Sequence, residues 1–149
     1  MQSDPLQPLK MTVGTLATGC VIIGVVVAGM IMTPPEEPAS LGQQVVPILL
    51  PLITAAVGWT LLRRPPAPTG DQAAGPQAMA ALRSRTMLAA AITEAGGFLA
   101  FAFGFVFEFP PLAVTIALVL AGVLVLAVAW PRMSRLEEWE REMRRQVRR

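Results

Sequence analysis

Residues 11–32 read MTVGTLATGCVIIGVVVAGMIM, an apolar stretch without a charged side chain. A helix needs about 20 such residues to cross a bilayer, and this stretch reaches that length. The apolar core of a secretory signal peptide is shorter, about 7–15 residues, and a small-residue cleavage motif follows it. Here the stretch runs into Thr33-Pro34-Pro35-Glu36-Glu37, so a retained membrane span is expected.

Three further stretches of the same kind follow at 41–62, 86–107 and 111–130. Only 15% of the 149 residues are charged, against roughly 25% in an ordinary soluble domain. The basic residues are sorted by position. Lys10 precedes the first stretch; Arg63, Arg64, Arg83 and Arg85 lie between the second and third; Arg132, Arg135, Arg141, Arg144, Arg145, Arg148 and Arg149 follow the fourth. The other two connections, around Glu36–Glu37 and at Glu108, carry acid alone. Basic loops remain on the cytoplasmic side of a membrane. The expected fold is therefore all-α. A four-helix transmembrane bundle occupies residues 1–131, with both termini cytoplasmic and a cytoplasmic linker at 63–85, and a cytoplasmic amphipathic tail helix occupies 132–149. Trp59 and Trp130, beside Arg63 and Arg132, suit the inner interface, where indole rings collect.

Finer features follow from single residues. Pro34, Pro35 and Pro38 end the first helix, because proline has no backbone donor. Pro47 and Pro51 lie one turn apart inside the second span, where a kink or loosened turn is expected. Proline and glycine from Pro65 to Pro76 make the start of the linker flexible, with Gln77–Arg85 as an amphipathic lead-in to the third span. Glycines 14, 19, 24 and 29 step around the first helix by about 140° each and so form no single dimer face. All six phenylalanines fall between 98 and 109; they read as lipid-facing bulk near the outer interface. In the tail, Ser134-Arg135-Leu136-Glu137 is a capping-box pattern, and Met133, Leu136, Trp139, Met143 and Val147 recur at helical spacing. Leu136, Trp139, Met143, Arg141, Arg144 and Arg145 are the expected contact residues of this tail, for anionic lipid or a protein partner.

Chemistry is sparse. There is no histidine, and Cys20 is the sole cysteine, so neither an internal disulfide nor zinc ligation nor Cys/His catalysis has its parts. Cys20 reads as a packing residue. No phosphate-binding loop, dinucleotide fingerprint, H-E-x-x-H or G-x-S-x-G element is present. No enzymatic activity, cofactor or nucleic-acid partner is expected. Glu94 is the one charge inside a span, close to the midplane, where an ionised group costs on the order of 2.5–3.5 kcal/mol. It should face other helices and hydrogen-bond to polar neighbours. Depth matching across antiparallel spans offers Thr54, Thr18 beside Gly19 and Cys20, and Gly122 as its surroundings. Ala90, Glu94, Gly97 and Gly104 share a face of small residues. Glu94, Thr54 and Thr18 are thus the candidate ion- or proton-binding set, with a structural clasp between helices as the competing role.

The segment Ala91-Ile92-Thr93-Glu94-Ala95 resembles the ion-binding helix of rotary ATPase proteolipid subunits (subunit c), a family with an essential carboxylate in a helical hairpin. That resemblance, confined to the one helix, implies ion or proton binding at Glu94. Over residues 85–140 the chain is similar to small uncharacterised four-span proteins of bacterial inner membranes. In these, a Glu-containing third span leads through a fourth to a tail with tryptophan eight residues after proline, here Pro131 and Trp139. The likeness implies a multi-pass protein of the bacterial inner membrane. The expected function is a non-enzymatic accessory or assembly component of a membrane complex, packed against copies of itself or a larger assembly. The alternative is a small proton- or ion-translocating protein using Glu94.

Overall fold

A computed structural model describes residues 4–30, 39–65, 67 and 74–147. It contains five helices: α1 (Gln7–Met30), α2 (Leu41–Arg63), α3 (Ala74–Phe107), α4 (Pro111–Ala129) and α5 (Met133–Val147). The first four are long and apolar enough to cross a membrane, so the chain is an all-helical, multi-pass integral membrane protein. Residues 31–38, with their prolines and Glu36–Glu37, and most of 66–73 lie outside the described residues.

α4 is the most enclosed span and touches α1, α2 and α3. α2 packs along α3. α1 lies on α4, reaches the flank of α3, and makes no contact with α2 among the described residues. Large apolar side chains such as Ile22, Val25, Ile53, Val57, Leu126 and Phe105 remain exposed, as they should where the surrounding medium is hydrocarbon.

Without a hydrophobic drive between helices in lipid, close packing depends on small residues at the seams. At the α2–α3 seam the contact is reciprocal. A side chain at Gly58 would place its first carbon 2.7 Å from Thr93 Oγ1. One at Gly96 would collide with Thr54 Oγ1 and come within 2.6 Å of Pro51 Cα. Pro47 and Pro51 are both buried in α2, which is helical throughout Leu41–Arg63. On the opposite side of α4, Gly122 lies against α1, where an added carbon would meet the Ala17 carbonyl oxygen at 2.7 Å.

The helix boundaries follow local chemistry. Ser40 caps α2, and its backbone N–H donates in return to Gln43 Oε1 at 3.0 Å. The C-terminal end of α3 closes with Glu108 in the left-handed region (φ 51°) while the Phe109 N–H donates to the Gly104 carbonyl at 3.2 Å. Glycine normally occupies that position. Pro111 then starts α4, because a first-turn residue needs no backbone donor.

The expected lead-in at Gln77–Arg85 is helical, and its helix starts three residues before Gln77. α3 begins at Ala74 and continues unbroken through Gln77–Arg85 into the span, 34 residues in all. Pro76 stands in the first turn, where its missing N–H costs nothing, and the Ala-rich run after it favours helix. At 1.5 Å per residue α3 is about 51 Å long, against about 30 Å of hydrocarbon, so its first dozen or so residues project beyond the membrane.

That projection carries α5. Leu136, Trp139 and Met143 are 7%, 2% and 1% exposed. They pack with Ala78 and Leu82 of the projection, with Leu62 and Val128 at the span ends, and with Leu6 ahead of α1. These three side chains are therefore closed onto their own chain instead of lying open to a partner or to lipid, while Met133 stays exposed. The start of α1, the end of α2, the beginning of α3 and α5 all share one end of the molecule, which is also the basic end.

Gly96→Val should lower the unfolding free energy in detergent by about 1–3 kcal/mol or abolish folding, while Gly29→Ala, in open space, should change it by less than about 0.5 kcal/mol. Thermal unfolding followed by circular dichroism distinguishes the two. Trp139→Ala should release α5, making Arg141, Arg144 and Arg145 much faster trypsin sites while the four-span remainder persists on a gel; equal cleavage rates in both proteins would contradict the docked tail.

Candidate functional site

Glu94 occupies the side of α3 that faces α1 and α4. One turn earlier, Ala90 is fully buried among Val13 and Ala17 of α1 and Val125 and Ala129 of α4. One turn later, Gly97 abuts Ala121 of α4, where an added carbon would lie 2.7 Å from the Ala121 Cβ. The small-residue face thus lets α3 come close to its neighbours at the level of the carboxyl. Glu94 itself is half-buried. Its Oε1 lies 3.7 Å from Sγ of Cys20, a fully buried thiol on α1 that can donate to it. Cys20 in turn sits beside Gly122, whose absent side chain leaves room for it.

Of the surroundings expected from depth, the structure therefore brings Cys20 to Glu94, with Gly122 behind the thiol. The two threonines go elsewhere. Thr18 is exposed on the outward side of α1, and its hydroxyl donates to the Gly14 carbonyl of its own helix at 2.8 Å. Thr54 lies in the α2–α3 seam, donating to the Leu50 carbonyl at 3.1 Å and the Thr93 carbonyl at 3.3 Å. Depth fixes only height along the bilayer normal. Which side of each helix turns inward depends on the packing arrangement, and here α2 takes the far side of α3 from α1.

Chemically the site is a carboxyl group beside a thiol. Among the described residues, no group of three His, Cys, Asp or Glu side chains stands ready to hold a metal ion. The pair can bind helices together through one hydrogen bond, and the carboxyl can take up or release a proton. Cys20 is the part that sequence reasoning undervalued; its presence at the matching depth was the available signal.

At the basic end, arginines organise the junction of α2, α3 and α5. Arg85 donates to the Leu61 carbonyl at 3.4 Å and to that of Arg64, satisfying the C-terminal turn of α2. Its guanidinium lies over Trp139, 5.5 Å from the ring centre. Arg63 and Arg135 both lie over Trp59, at 5.6 and 6.0 Å. Burial, together with the neighbouring Arg132, holds the Arg135 guanidinium below its usual value. Arg141, Arg144 and Arg145 point away from this junction, each paired with a glutamate of α5: Glu137 at 3.2 Å, Glu140 at 2.5 Å and Glu142 at 3.8 Å.

No family model, no curated protein and no solved structure matches the chain.

Thr18→Val should leave stability in detergent within about 0.5 kcal/mol of the parent, because the hydroxyl serves only its own helix. Cys20→Leu should cost about 1–3 kcal/mol through overpacking against Gly122. In the folded protein, Cys20 should resist a maleimide that labels it readily in SDS; rapid labelling in mild detergent would place the thiol outside the interior.

Proposed function

We propose that this protein is a non-enzymatic accessory or assembly component of a bacterial inner-membrane complex, with both termini cytoplasmic. The observation that carries the reading is the outward side of α1. Met11, Gly14, Thr15, Thr18, Gly19 and Ile22 line an open groove there. Nothing lies within 4 Å of a side chain added at Gly14, Gly19 or Gly29, whereas Gly24 is packed against Leu118 and Val119 of α4. Taken alone, the five-residue glycine spacing forms no face. Thr15 and Thr18 fill the gaps between Gly14 and Gly19, and both hydroxyls are folded back onto backbone carbonyls at 2.9 and 2.8 Å. A smooth surface of small residues facing lipid suits close approach by another helix, and a small-residue repeat at four-residue spacing is the usual way membrane helices achieve it. The orientation rests on the basic end, which positive charge retains on the cytoplasmic side.

A second reading has its own support. Glu94 is a half-buried carboxyl with one weak donor, Cys20, and no described basic partner. An ionisable group held that way in a span suits proton or ion translocation.

Disulfide trapping tests the first reading. In a Cys20→Ala background, Thr18→Cys should form a covalent dimer, or a covalent product with a partner subunit, when native membranes are oxidised. Phe105→Cys, equally exposed but on α3, should not. Equal trapping at both positions, with a monomer in mild detergent, sinks the assembly role. For the second reading, the purified protein in liposomes containing a pH-sensitive dye should carry a proton flux that Glu94→Gln removes; no flux in the parent excludes it.

A further inference from the structure

The arginines fall into two classes. The three on the solvent side of α5 each have a glutamate partner. Those at the membrane edge, Arg63, Arg64, Arg83, Arg85, Arg132 and Arg135, have no carboxylate within ion-pair distance among the described residues. Glu138, the remaining acid of α5, influences Arg135 electrostatically but forms no ion pair with it. Among the described residues Lys10 is paired as well, with Asp4 at 2.6 Å, so the unpaired cations are these six arginines.

Three of the bare arginines converge. Thr60, Leu61, Arg63 and Arg64 from α2 and its C-terminal end, with Arg85 and Leu88 from α3, line a groove of about 660 Å³. Its two chemical halves are distinct. Leu88 and Thr60 are exposed on the membrane side, while Arg63 and Arg64 extend outward at the end of the helix. Arg85 is held in place by its bonds to the Leu61 and Arg64 carbonyls and by Trp139. Nearby, Arg135 Nη1 is buried with no acceptor; Glu138 acts on Arg135 only without an ion pair, and positive charge dominates the field around the groove.

We propose that this groove binds the phosphate of an anionic phospholipid, with the acyl chains lying along Leu61 and Leu88. Guanidinium groups hold phosphate oxygens in bidentate fashion, and each cation near the surface of an anionic membrane adds to the attraction. A zwitterionic lipid offers the same phosphate but brings its own cation into a region already rich in them. The inference needs only a membrane-embedded protein and is independent of the assembly role proposed above.

Native mass spectrometry of the delipidated protein in detergent tests it. Dioleoyl phosphatidylglycerol should remain bound at a concentration where dioleoyl phosphatidylcholine does not, with a preference of about tenfold or more. The double variant Arg63→Gln/Arg64→Gln should lose that preference; Arg85 is left in place because it closes the end of α2. Arg63→Lys/Arg64→Lys should retain most of it, and Arg141→Gln/Arg145→Gln should retain all of it. Circular dichroism of each variant reports whether the bundle is intact. The proposal is overturned if both lipids bind alike, if the tail variant loses as much as the groove variant, or if the lysine variant, still folded, fails as completely as the glutamine variant. It is also overturned if millimolar inorganic phosphate displaces the lipid fully, which would make this a site for the free anion.

Discussion

The close approach of α3 to α2 and α4 is the contact on which the remaining architecture depends. Hydrocarbon offers the backbone no hydrogen-bonding partner, so each span must be a helix before it can pack at all. Once formed, helices in lipid gain nothing from hiding leucine from more leucine; they gain from atoms brought near enough for dispersion and weak polar contacts. Gly96 and Gly97 are adjacent, so they point about 100° apart on α3. One admits Thr54 and Pro51 of α2; the other admits Ala121 of α4. With α3 held on two sides, α4 becomes the shared centre, and α1 is left to pack against its remaining face through Gly24 and Gly122.

Much of this was legible in the order of residues, and the part that was not has a single physical cause. Span positions depend on length and hydropathy, which are local properties. The expected second span at 41–62 and the observed α2, Leu41–Arg63, differ by one residue. Which way a helix faces is a property of the assembled set. In lipid the usual guide to facing is lost, because interior and exterior are both apolar. Thr18 and Thr54 were placed at the right depth for Glu94 and on the wrong sides of their helices. The projection of α3 was legible in part, as the expected lead-in at Gln77–Arg85, but its start at Ala74 and its docking were not. Proline and glycine between 65 and 76 read as a flexible linker, yet Pro76 falls in a first turn where it does no harm, and the docking of Trp139 and Met143 onto Ala78 and Leu82 stabilises the helix that follows. That docking is a contact between segments more than fifty residues apart, which no local pattern reports.

Glu94 is tolerable in the membrane for a reason tied to the same packing. An ionisable side chain at this depth costs least where it faces protein. Ala90 and Gly97 draw α3 close to α1 and α4 just above and below it, so the carboxyl emerges at the one level where Cys20 and Gly122 leave space. A sulfhydryl is a weak donor. A strong donor, such as a lysine, would hold the carboxyl by an ion pair; the thiol holds it by one weak hydrogen bond. Among the described residues α1 does not reach α2, and any element that packed onto the open groove of Gly14, Thr18 and Gly19 would press on the same helix that carries Cys20.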